Sequence, residues 1–91
     1  MRFEWDSAKA RENLQKHGVK FLEATTIFGD PFRQPCRIEG EARFLSLGMS
    51  AASRLLVVAY TEREGRIRII HARVASPKER RAYESGKKPQ G

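Results

Sequence analysis

Apolar residues recur at helical spacing through the first third of the chain and at strand spacing through the second half. Phe3-Glu4-Trp5 alternates and predicts a short opening strand. Asp6 then stands where an N-cap belongs, ahead of the good helix formers of "SAKARENLQKH". Gly18 marks the end of that helix, because it can take the left-handed conformation. Lys16 and His17 fall in the last turn, where cations suit the helix dipole. A second helix, from about Lys20 to Phe28, places Phe21, Ala24, Thr25 and Phe28 on one face, and Gly29-Asp30-Pro31 closes it.

Beyond Pro31 the period changes. Segments around 32–38, 42–48, 54–61 and 66–73 are short and separated by turn material, "EGE", "GMSAAS" and "EREGR". "LLVVAY" is apolar on both faces, as a central covered strand requires. "EREG" reads as a hairpin turn, making its flanking strands antiparallel neighbours. Ser76-Pro77-Lys78-Glu79 is a capping box with proline at the first helical position, and its helix runs to about Ser85. The pattern predicts one α+β domain over residues 1–85, with two N-terminal helices, a three- to four-stranded antiparallel sheet and a C-terminal helix. Residues 86–91 are expected to form a disordered tail.

Composition narrows the class. Ninety-one residues make one domain with a modest core. No apolar run is long enough for a membrane span, and the opening MRFEWD, with two acids, does not read as a signal peptide. Cys36 is the single cysteine, so no internal disulfide is expected and a reducing, cytoplasmic location fits. The net charge of +7 is uneven. Residues 1–62 carry nine basic and eight acidic groups, whereas residues 63–91 carry nine basic and three acidic ones. A surplus so placed points to a polyanion, whether nucleic acid, an anionic membrane or an acidic protein.

The residues available for chemistry are few. Two histidines, one cysteine and no H-x-x-x-H or C-x-x-C provide no recognised ligand set, so neither metal nor cofactor is expected. Phosphate-loop and nucleophile-elbow motifs are also absent. Arginine, lysine, histidine, glutamate and tyrosine remain, a set adequate for RNA, which supplies its own 2′-hydroxyl nucleophile. Guanidinium forks match two phosphate oxygens at once. The same face is equally compatible with holding RNA uncut. Strict alternation puts Ile67, Ile69, His71 and Arg73 on one face of the last strand, and Arg66, Arg68, Ile70 and Ala72 on the other. A bulge would change that sorting. His71 and Arg73 belong together at a cleft, with Arg63 approaching from the neighbouring hairpin arm.

With these residues assembled, the chain resembles the BrnT toxin family of type II toxin–antitoxin systems. The resemblance runs from about Phe3 to Tyr83 through "FEWDSAKARENLQKHGVKF", "FGDP", "EARFLSLG", "LLVVAYTER", "IRIIHAR" and "ERRAY". It implies a RelE-like ribonuclease fold that cleaves RNA without metal and inhibits translation. It also implies a BrnA-like antitoxin, a ribbon-helix-helix protein through which alone operator DNA is bound. This chain departs from the family's "IISARKA", reading "IIHARVA", so His71 replaces a serine and Val74 a lysine. The expected catalytic residues are Arg73, Arg63, His71 and Glu41, and the expected RNA-binding residues are Arg43, Arg68, Lys78, Arg80 and Tyr83. Each has a plainer reading: an ion pair for Arg73 and Arg63, a packed strand side chain for His71, a solvated turn for Glu41, a helix anchor for Tyr83. Two other functions stay open. One is a non-catalytic module that binds nucleic acid or acts as an antitoxin-binding co-repressor. The other is a folded but inactive toxin.

Overall fold

The computed structural model describes residues 1–38, 40 and 42–87. In chain order the elements are β1 (Arg2–Glu4), α1 (Ser7–His17), α2 (Phe21–Thr25), a 3-10 helix (Thr26–Gly29), β2 (Gln34–Arg37), β3 (Phe44–Met49), β4 (Leu55–Arg63), β5 (Arg66–Val74) and α3 (Pro77–Lys87). The helix ends follow the expected chemistry. Asp6 Oδ1 accepts from the Lys9 N–H at 3.0 Å, and Gly18 leaves α1 at φ 67°. The second helix is shorter than its apolar spacing suggests. The Thr25 and Thr26 hydroxyls donate back to the Leu22 and Glu23 carbonyls, each at 2.7 Å, and the chain tightens there into 3-10 geometry.

The strands form one sheet in the order β1-β5-β4-β3-β2. It therefore has five strands and is mixed, not the three- to four-stranded antiparallel sheet expected. β1 lies parallel to β5 and pairs Phe3 with Ile67, while every other pair is antiparallel. A three-residue strand carries too little pattern to reveal its direction, and its central Phe3, partly buried, packs against the core. The expected centre is correct: Leu55–Tyr60 of β4 is buried throughout. Glu64 and Gly65 turn the β4–β5 hairpin with φ of 52° and 78°, the signature of a tight turn matched to strand twist.

α1, α2 and the 3-10 helix cover one face of the sheet over Leu56, Val58, Tyr60, Ile67, Ile69 and Ala72. A bulge interrupts β5: Ala59 pairs with His71 but Tyr60 pairs with Ile69, so Ile70 is the extra residue. Among the described residues, no strand meets the outer edge of β5 past β1. Asn13 of α1 takes that place, accepting from the Ala72 N–H at 3.1 Å and donating to the Ala72 and Val19 carbonyls at 2.8 and 3.0 Å. Asn13 is only 5 % exposed, so truncating it leaves three buried backbone groups without their partner. Asn13→Ala is expected to cost about 2–3 kcal/mol in chemical denaturation. A loss below about 0.5 kcal/mol would mean water replaces the amide at no cost.

α3 is fastened on the β2 side. Gln34 Nε2 donates to the Ala82 and Tyr83 carbonyls, and the Tyr83 hydroxyl donates to Asp30 Oδ2 at 2.6 Å.

Candidate functional site

The bulge at Ile70 decides what the sheet displays on the side away from α1 and α2. Without it, alternation would split the basic residues of β5 between two faces. With it, Ile67, Ile69 and Ala72 all enter the core, and Arg66, Arg68, His71 and Arg73 take the opposite parity, with His71 at the open edge of β5 where it reaches the end of α1. Four basic groups thus stand in one column. The first two are matched by Glu4 of β1, which accepts from Arg68 Nη1 at 2.9 Å and lies 3.3 Å from Arg66 Nε. Chemistry concentrates at the other two.

His71 meets His17 from the end of α1. Their Nε2 atoms are 3.1 Å apart and the rings stand edge to face at 82°. Two imidazoles in such contact must hold unlike states at those atoms, one bearing hydrogen and the other a lone pair. Burial pushes the His71 pKa below 6.5, and the charges of His17, Arg73 and Lys16 push the same way. Nearby, Arg73 sends both arms of its fork to Glu79, Nη1 to Oε1 at 2.8 Å and Nη2 to Oε2 at 2.9 Å. Glu79 also completes the expected capping box, accepting from the Ser76 N–H at 2.8 Å while its own N–H donates to Ser76 Oγ. Chiefly through Arg73, the Glu79 carboxyl is held at about 2.

The other expected residues are dispersed. Arg63 lies opposite Arg66 at the hairpin end, four residues along β4 from His71's partner Ala59. That is about 13 Å of strand, so Arg63 does not share a cleft with His71 and Arg73. Arg43 is exposed just before β3, and its carbonyl accepts from the Ile38 N–H. Lys78 and Arg80 are exposed on α3, where Arg80 joins Arg81 and Glu84 along an outward groove. Tyr83 is 2 % exposed and offers no ring face to a base, which corrects the RNA-binding expectation. It anchors α3 instead, and burial and Asp30 push its hydroxyl up to about 12. Glu41 lies outside the described residues.

Sequence reasoning gave His17 only a role at a helix terminus. The signal for more was its spacing. Asn13 and His17 are four apart, so a helix that docks on a strand through one presents the other to that strand too.

A scan against protein families matches residues 5–79 to the model of the "Ribonuclease toxin, BrnT, of type II toxin-antitoxin system". The chain belongs to the BrnT family. Its fold is similar to the crystal structure of the Brucella abortus ribonuclease toxin BrnT, with a TM-score of 0.70 at 20 % identity over 84 % of this chain and 97 % of that one. A search of curated proteins finds no match. The BrnT assignment makes this chain a member of a ribonuclease toxin family whose systems include an antitoxin. Among the described residues, no helix is long and apolar enough to cross a membrane.

Proposed function

We propose that this BrnT-family chain is an endoribonuclease toxin that cleaves RNA by attack of the 2′-hydroxyl, with no metal required. The observation that carries this reading is the His17–His71 contact beside Arg73. In-line attack forms the 2′-oxygen to phosphorus bond and breaks the bond to the 5′-oxygen, leaving a 2′,3′-cyclic phosphate and a 5′-hydroxyl. The neutral, half-buried His71 accepts the 2′-hydroxyl proton, and His17, exposed at the end of α1, delivers one to the departing 5′-oxygen. Arg73 exchanges Glu79 for the phosphate and balances the charge that builds on its oxygens. Arg68, Lys78 and Arg80 extend the positive surface that holds the strand.

The neutralising partner is a BrnA-like ribbon-helix-helix antitoxin, and operator DNA is reached only through it. Beside Glu79, the trough lined by Leu45, Leu47 and Val57 on the side away from α1 suits an apolar side chain of that partner, while the β5 column suits its acids. Cleavage of end-labelled RNA in excess EDTA tests the activity, with a 2′-deoxy substrate beside it. Expected are cyclic-phosphate termini on the ribose substrate alone. Activity that disappears in EDTA, or that cuts DNA, refutes the mechanism.

One observation favours a second reading. Arg73 is already paired with Glu79 through both arms of its fork, as an arginine kept for structure would be. In that case the chain is a non-catalytic nucleic-acid or antitoxin-binding module, and it retains RNA with a salt-sensitive affinity and no new termini.

A further inference from the structure

We propose that His17 and His71 form a two-histidine binding site for a divalent transition-metal ion, with Zn2+ the best match. The geometry is already set. Zinc–nitrogen bonds are ~2.0–2.1 Å long, so nitrogens 3.1 Å apart subtend about 98° at a shared ion, near the tetrahedral angle. The ring centres are 4.7 Å apart, whereas rings meeting nose to nose at that nitrogen spacing would have centres about 5.4 Å apart. The two ring axes are therefore bent rather than collinear, which two nitrogens converging on one ion require.

The ligands also sit on separate elements that are locked together. His17 ends α1, which Asn13 ties to the backbone of Ala72, the residue after His71. Little reorganisation is needed to bring the nitrogens to an ion, and His17 is open to solvent. Imidazole donors favour zinc, copper or nickel over magnesium or calcium. No group of three or more histidine, cysteine or acidic side chains suited to a metal exists among the described residues, so water or an anion completes the coordination. The surrounding charge limits the affinity. Lys16 and Arg73 both act on His71, and Glu79 neutralises only Arg73. A micromolar rather than nanomolar site follows.

Its consequence rests on the reading above. An ion on both Nε2 atoms occupies the lone pairs that would move protons, so a filled site silences cleavage and clamps α1 to β5.

The test is zinc titration of the tag-free full chain by calorimetry, in a Cys36→Ser background that removes the exposed thiol as a rival ligand. Expected is one ion per chain, with binding weakened at least tenfold by His17→Gln and by His71→Gln. His17→Ala serves as a second variant, since that side chain is exposed and its loss leaves the fold intact. Zinc should also raise the melting temperature of the parent and not of the variants. No binding at about 100 µM zinc, or binding that both variants keep, overturns the site. Cleavage is read separately. Zinc that binds through the histidines without slowing an active chain overturns the regulatory role. Zinc bound by a chain that never cleaves RNA supports the site and refutes the nuclease reading instead.

Discussion

Alanine at His71 is expected to slow RNA cleavage by about 10²–10⁴-fold with the fold intact, and alanine at His17 to act similarly. Because the two imidazoles serve as base and acid of one step and act as a unit through their direct contact, the double variant should be little worse than the worse single one. Acidity gives the sharper readout. Burial, then the charges of His17, Arg73 and Lys16, lower the His71 pKa from 6.5, so its proton-accepting form persists into mildly acid solution. The acid limb of the rate profile should therefore lie below pH 6.5 in the parent and vanish with His71→Ala. Stability moves in the same sense. The unfolded chain takes this proton more readily than the folded one. The folded state thus has its full stability above about pH 6.5 and loses part of it as the pH falls through the depressed value. An acid limb unchanged in both histidine variants would remove the pair from the mechanism.

Arg73→Ala is expected to lower cleavage by about 10²–10³-fold, on the order of 3–4 kcal/mol of transition-state stabilisation. Lysine should rescue little, since a point charge cannot reproduce the two-armed grip the fork makes on Glu79 and would make on phosphate. Glu79→Gln separates the arginine's two roles. It releases the fork towards phosphate, so RNA binding should hold or tighten, while the α3 cap weakens by about 1 kcal/mol. It should also flatten the acid end of the stability curve. The folded Glu79 carboxyl titrates at about 2 against an ordinary 4.5, so its contribution is full above pH 4.5 and lost as the pH falls towards 2. If Arg73→Ala cleaves within about twofold of the parent, the arginine is a clamp for α3 and nothing more.

What the sequence disclosed follows from how local each device is. The capping box at Ser76–Glu79, the Glu64-Gly65 turn and the doubly apolar "LLVVAY" are each contained in a few consecutive residues, and the structure bears out all three. The parallel pairing of β1, the edge duty of Asn13 and the meeting of His17 with His71 join residues more than fifty positions apart. No window along the chain contains such pairs. Tyr83 was legible as an anchor by its place on α3, but its partner Asp30, before β2, was not. The site was half readable. Arg73 and His71 were picked out as neighbours, yet strict alternation put them on the face of Ile67 and Ile69, and the sequence alone leaves open whether Ile70 of "RIRIIHARV" counts in the alternation or is skipped as a bulge.

That ambiguity has a consequence for how the chain encodes its active surface. Ile70 adds a length to β5 and no chemistry. Its presence carries the strand through half a pleat, so that everything before it and everything after it obeys opposite parity. The basic column is therefore specified by counting. Relatives that keep every arginine and histidine but differ by one residue here would present a different surface, and an alignment that scores only identities would miss it.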